Sequence, residues 1–120
     1  MSRFTITDAT FPDDAETVRQ LFRAYATWLG VDLCFQDFEA ELAALPGRYA
    51  PPEGALLLLR DATGTALGCV ALRPIGGGDC EMKRMYLADA ARGAGQGRAL
   101  ALAIIARARA AGHRRIVLDS

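Results

Sequence analysis

The sequence predicts an α+β domain: a mixed, mostly antiparallel sheet flanked by helices, in the order β-α-α-β-β-β-α-β. Three observations predict it. Five short stretches read as strands, the first alternating apolar and polar residues, and three of them follow one another with only turn residues between them. Two longer stretches read as helices, one repeating apolar residues at three- and four-residue steps and the other a run of good helix formers. The second of these stands between the fourth and fifth strands, so that pair must run parallel through a crossover.

"RFTITD" alternates Phe4 and Ile6 with Thr5 and Thr7 and ends at Asp8, which reads as a first strand. In "FPDDAETVRQLFRAYATWLG", Pro12 suits a first helical turn, and Asp13, Asp14 and Glu16 favour the positive end of the helix dipole. Val18, Leu21, Phe22, Tyr25 and Leu29 then form one stripe before Gly30 stops the helix. A shorter helix over 37–45 ends at Pro46-Gly47, and the intervening "VDLCFQ" has no clear period. Strands over 55–60, 66–73 and 80–87 form a meander, with the turn residues of "DATGT" and "PIGGGD" between them. A helix follows "ADAARGAGQG" and is closed by Gly112, and "RRIVLD" supplies a fifth strand over 115–119.

A chain of 120 residues fits one domain, 1–120, and 52% apolar residues are enough for a globular core. Lys plus Arg equals Asp plus Glu at 14 each, and that balance argues against a nucleic-acid partner. Lys83 is the sole lysine beside 13 arginines, a bias better explained by genome composition than by function. Cys34, Cys69 and Cys80 are odd in number and lack C-x-x-C spacing, so the expectation is a reducing compartment and no metal site. Cys69 and Cys80 fall inside strands and read as buried small hydrophobes. "MSRFTITDAT" has no apolar segment of the kind a signal peptide needs. The longest apolar run, 99–106, is far short of the roughly 20 residues that span a bilayer. The expected location is cytoplasmic, with no membrane partner.

The stretch "ARGAGQGRALALAIIARARAAG" sets Gly93, Gly95 and Gly97 directly before a run of helix formers, with Arg92 and Arg98 around them. A tight strand-to-helix turn needs one glycine. Three glycines with flanking charge suit an anion: helix-opening amides lack intrahelical partners, and bare Cα atoms let a phosphate approach them. The string is not a Walker loop, which needs G-x-x-x-x-G-K-[ST], nor a dinucleotide fingerprint, since position 98 is Arg.

What it does match is R/Q-x-x-G-x-G/A, at Arg92, Gly95 and Gly97, after a strand ending in "MKRMYL". With "CEMKRMYLADAARGAGQGRAL" and "GHRRIVLDS" around it, the chain resembles the GNAT superfamily of N-acetyltransferases over nearly its whole length. The resemblance implies an acyl-CoA N-acyltransferase fold with acetyl-CoA as cosubstrate and no metal. It implies that the amides of Arg92, Gly93, Ala94, Gly95, Gln96, Gly97 and Arg98 bind pyrophosphate, the Arg98 side chain adding charge. It further implies that β-strand residues Met85, Tyr86 and Leu87 hold the pantetheine arm, through the backbone of Met85 and Leu87, in a gap between the strands over 80–87 and 115–119.

Acetyl transfer to an amine needs a proton acceptor and a donor to the carbonyl oxygen. The resemblance implies the Leu87 amide as the oxyanion donor, a backbone amide of the fourth strand typically serving in such folds. It also makes Glu81, in a register where some relatives carry a glutamate, the candidate base. Strict alternation would put Glu81, Lys83, Met85 and Leu87 on one face and turn Tyr86 away as a packing residue. His113, at the far end of the crossover helix, reads as a surface turn residue. Asp32, Asp37, Glu39 and Glu41 are possible attractors of a cationic amine, or simply a solvated helix face.

Family members continue past the fifth strand with a helix and two further strands, so this domain is expected to be incomplete at its C-terminus. Three explanations stand: a fragment, a tail supplied by a second subunit in a homodimer, or a degenerate domain that binds coenzyme without catalysis. The favoured expectation is an N-acetyltransferase acting on a primary amine of a small molecule or peptide by direct attack in a ternary complex. The alternative is a non-catalytic acyl-CoA-binding or regulatory module.

Overall fold

The four leucines at 56–59 occupy a strand covered on both faces, which is why four consecutive apolar residues are tolerated there. In the computed structural model, which describes residues 3–30, 37–93 and 95–118, this strand is the second of five. The strands are β1 (Phe4–Asp8), β2 (Ala55–Asp61), β3 (Ala66–Gly76), β4 (Asp79–Leu87) and β5 (Arg115–Leu118). They lie in the order β1-β2-β3-β4-β5; the first four pair antiparallel and β4 pairs parallel with β5. The helices are α1 (Ala15–Leu29), α2 (Phe38–Ala43) and α3 (Gln96–Ala110). The predicted fold class and element order are those observed; the additions are two short 3-10 turns, Gly47–Tyr49 and Asp89–Ala91.

Alternation along β2 and β3 divides the core in two. Leu56, Leu58, Cys69 and Ala71 face α1 and α2, where they meet Val18, Leu21, Phe22 and Tyr25 of α1 and Phe38 and Leu42 of α2. Leu57, Leu59, Val70 and Leu72 face α3, where they meet Leu100, Ile104 and Ala108, one residue from each successive turn. Complete burial of a leucine contributes about 2 kcal/mol, so the β2 leucines alone outweigh any helix-capping effect. The α1 stripe departs from its expected extent at one end: Leu29 and its neighbour Trp28 are exposed. Gly30 ends the helix in the left-handed region at φ 75, donating its amide to Ala26 and Thr27.

Strand β4 contains a bulge. Cys69 lies opposite Tyr86 but Ala71 lies opposite Lys83, so β4 carries one extra residue there. Arg84 sits at the bulge with φ 61, a region non-glycine residues seldom enter. Its side chain is only 2% exposed. It makes a bidentate pair with Glu41 of α2, at 2.9 and 3.1 Å, and its guanidinium lies over the rings of Tyr25 and Phe38. Tyr49 donates its hydroxyl to the same Glu41 carboxylate at 3.1 Å. Burial opposes the charge on Arg84, but the hydrogen bonds and charge of Glu41 more than offset it and raise its pKa above the ordinary guanidinium value. The pair therefore pins α2 to the middle of β4.

Two predictions follow from this packing. Arg84→Met leaves Glu41 without its main partner, so denaturant unfolding should show a loss of about 3 kcal/mol. The double variant Arg84→Met/Glu41→Met should lose less than the two single variants added together. Additive losses would show that the pair does not act as a unit. Burial also pushes the Cys69 thiol up to about 12 and raises Cys80, for which the neighbouring Asp79 charge adds to the effect. At pH 8 both therefore carry little thiolate, and mass spectrometry after native iodoacetamide treatment should find Cys69 and Cys80 unmodified. Alkylation of Cys69 at the rate of a free thiol would contradict its burial.

Candidate active site

The bulge at Arg84 decides which β4 residues share a face. Before it, Cys80 and Met82 point toward α3; after it, Met85 and Leu87 do so as well. Glu81 lies opposite Arg73, which is two residues from Ala71 and so shares the α1–α2 face. Tyr86 packs against the α1–α2 core too. The expected single face of Glu81, Lys83, Met85 and Leu87 is thus corrected: Glu81 lies on one side of the sheet, Met85 and Leu87 on the other. Tyr86, expected to turn away from Glu81, is on its side. One extra residue inverts a period-2 pattern, and that is the physical reason.

The same strand presents an open backbone edge. Its pairing with β5 runs from Asp79 with Arg115 to Met82 with Leu118, and among the described residues no strand lies beside 83–87 on that edge. On its other edge Ala88 donates its amide to Leu67, so alternation of an antiparallel ladder directs the Tyr86 amide the same way. The amides of Met85 and Leu87 then point outward, toward the open side. Outward-facing donors two residues apart suit an extended chain laid along the strand.

At the end of β4 the chain passes through Asp89–Ala91 into the glycine segment. Gly95 caps α3 in the left-handed region at φ 77, and a Cβ built there meets nothing within 4 Å. The first intrahelical bond is from the Ala99 amide to the Gly95 carbonyl, at 3.2 Å, so the amides before Ala99 have no intrahelical acceptor. The first turn of α3 contains no acidic residue, whereas α1 has Glu16 and α2 has Glu39 and Glu41 in theirs. The exposed Arg98 adds a positive charge to this end. Gly97 differs: it has no positive φ, and a Cβ there would stand 3.5 Å from Leu87 Cδ1, an ordinary packing contact, so α3 lies against the end of β4 at this point. Gly93 also has positive φ, at 82. Ala94 lies outside the described residues.

Arg92 differs from expectation. Its amide donates to Asp89 at 3.1 Å and is committed to the turn. Its guanidinium donates to the Leu87 carbonyl at 2.8 Å and to Asp89 at 2.7 Å, and lies over the rings of Trp28 and Tyr86 at 5.3 and 5.8 Å. Arg92 thus fastens the loop to α1 and β4.

Glu81 accepts a hydrogen bond from Arg73 Nε at 2.8 Å, and Arg73 Nη2 makes an ion-pair contact with the same carboxylate oxygen at 2.7 Å. Of the four acidic residues considered as attractors, Glu41 is turned inward to Arg84 and Tyr49, and Glu39 pairs with Arg23 at the surface. Asp37 stays exposed, and Asp32 lies outside the described residues, as does Cys34. His113 contacts the Glu53 carbonyl at the far end of α3, away from this region, as its position in the sequence implies. Tyr49 and Arg73 went unnoticed in the sequence, where nothing marks two residues whose partners lie eight positions away on other elements.

Comparison with known proteins gives a consistent answer. The sequence model of the acetyltransferase (GNAT) family matches residues 15–120. An uncharacterized N-acetyltransferase of Schizosaccharomyces pombe is 41% identical over 120 residues, which is 99% of this chain and 74% of that protein. One from Dictyostelium discoideum is 36% identical over 63 residues, 52% of this chain and 29% of the relative. In fold, the chain is similar to a GNAT-family acetyltransferase from Staphylococcus aureus, with a TM-score of 0.82 at 15% identity over 98% of this chain and 72% of that one. It is likewise similar to a GCN5-related N-acetyltransferase from Ralstonia eutropha, with a TM-score of 0.78 at 19% identity over 98% and 83%. With the family model running from α1 to the last residue, and a relative of 41% identity spanning nearly the whole chain, this protein belongs to the acetyltransferase (GNAT) family.

Proposed function

We propose that this chain moves an acetyl group from acetyl-CoA to a primary amine of a small molecule or peptide, by direct attack in a ternary complex. The observation that carries the proposal is the alignment of two backbone features. The outward amides of Met85 and Leu87 run along an edge with no strand beside it among the described residues, and the chain leads from there to the start of α3 behind Gly95, which makes no side-chain cap bond. An extended arm ending in a pyrophosphate fits the two in sequence. The amides of Gly93, Gly95, Gln96, Gly97 and Arg98, with Ala94 between them, would receive the pyrophosphate, and the Arg98 side chain would add charge.

Distance along β4 divides the remaining roles. Leu87 stands six residues from Glu81, about 20 Å at roughly 3.3 Å per residue, too far for both to act on one reacting centre. The Leu87 amide therefore serves the arm. The Met85 amide, next to the bulge and two residues nearer Glu81, is the better donor to the thioester carbonyl as negative charge gathers on its oxygen. The amine nitrogen bonds to the carbonyl carbon, the carbon–sulfur bond breaks, and the thiolate leaves. Glu81 takes the amine proton through water, since its strand position leaves a gap and Arg73 already occupies one of its oxygens.

Gly95→Trp should reduce acetyl-CoA affinity by more than tenfold in calorimetric titration, because the side chain fills the approach to the bare amides and its backbone must hold φ 77. Unchanged affinity would refute the loop assignment. Glu81→Gln should lower kcat for thiol release by roughly tenfold or more, while acetyl-CoA affinity stays within a factor of two. An unchanged kcat would remove Glu81 from proton transfer. Tight coenzyme binding with no turnover across an amine panel would support the alternative of an acyl-CoA-binding module.

A further inference from the structure

A pocket of about 310 Å³ opens beneath α2 on the Glu81 side of the sheet. Its charged and polar walls are Asp37, Glu41, Arg48, Tyr49 and Arg73. That volume is at the small end of the range for ligand sites and suits a molecule of amino-acid size. The pocket's charges are not all internally matched. Both Glu41 oxygens are already taken, one by Arg84 and the other by Arg84 and Tyr49. Arg73 spends Nε and Nη2 on Glu81, and its Nη1 has no partner among the described residues. Arg48 donates one nitrogen to the Pro74 carbonyl, and among the described residues no carboxylate lies within ion-pair distance of it. Asp37, exposed on the rim, makes no ion pair with either arginine.

We infer that the acceptor amine also carries an anionic group, a carboxylate or a phosphate, held in this pocket by Arg48 and the free edge of Arg73. The inference rests on the acetyltransferase reading for the word acceptor, but the anion site stands on the pocket itself. Guanidinium forks bind planar or tetrahedral oxyanions through paired, charge-assisted hydrogen bonds, and two of them face one small cavity here. Arg73 also places the site in relation to the chemistry, because the guanidinium that lines the pocket grips the Glu81 carboxylate at 2.7 Å. An anion seated there leaves the amine end of the same molecule beside the proposed base.

The test uses two matched pairs: β-alanine against its amide, and O-phosphoethanolamine against ethanolamine. Each is titrated into the isotope-labelled chain and followed by chemical shift at the arginine Nε–H signals. The anionic member of at least one pair should bind roughly tenfold or more tightly than its neutral partner, and Arg48→Gln should remove most of that preference. The pair that discriminates identifies the anion. Arg48→Lys should restore part of the preference, and both variants should bind acetyl-CoA as the parent does. Failure of both pairs to discriminate, or a preference unchanged in Arg48→Gln, overturns the inference. Thiol release and acetyl-CoA titration test the acetyltransferase reading separately: anion preference without coenzyme binding would defeat that reading and leave the pocket assignment intact.

Discussion

One residue in the left-handed region governs the layout of this molecule. If Arg84 were an ordinary strand residue, β4 would alternate from end to end, and its two halves would present opposite sets of side chains. The bulge lets Met82 and Met85 lie on the same side of the sheet although three positions separate them. Keeping a non-glycine residue at φ 61 costs on the order of 1 kcal/mol or more. The Glu41 pair and the rings of Tyr25 and Phe38 supply the compensation. Those partners come from α1 and α2, so the helices on one face hold the backbone geometry of a strand whose apolar side chains serve the other.

Around the glycine segment, residues that look equivalent in a motif have separate physical tasks. Gly95 supplies a left-handed backbone conformation and an unobstructed approach, while Gly97 sits in ordinary helical backbone facing Leu87. Arg92 works through its side chain on the protein itself, and Arg98 sits on the helix end with its charge exposed. Nothing acidic stands in the first turn of α3, so the positive end of its dipole is not offset there. A substitution that leaves the motif string intact, such as an acid at the surface of that turn, would therefore still weaken the site.

Much of the fold was legible because local patterns and tertiary demands agree. The threonines of β1, the stripe from Val18 to Tyr25 and the glycines closing the meander turns all mark elements that the structure contains. The bulge was missed under strict alternation along β4, yet it leaves a trace in the string. In "CEMKRMYL" the apolar positions shift phase from Cys80 and Met82 to Met85 and Leu87, with Lys83 and Arg84 adjacent between them. Two charged neighbours at a phase slip are what an extra residue looks like in sequence. The pairing of Arg84 with Glu41 was not legible, because 43 residues separate them and neither lies in a recognisable pattern. The pocket under α2 was hidden for the same reason, being assembled from α2, the turn after it and β3.

Trp28 stands at the end of α1 with more than half its surface in water, in edge contact with Tyr86 and beneath the Arg92 guanidinium. It is the single tryptophan of the chain. The molecule thus carries a built-in optical gauge beside its glycine loop. Indole emission responds to solvent and to a nearby cation, so any shift of Arg92 off that ring changes the fluorescence of the whole protein. Events at the loop can be timed by stopped flow on the unlabelled chain, with no second tryptophan to dilute the signal.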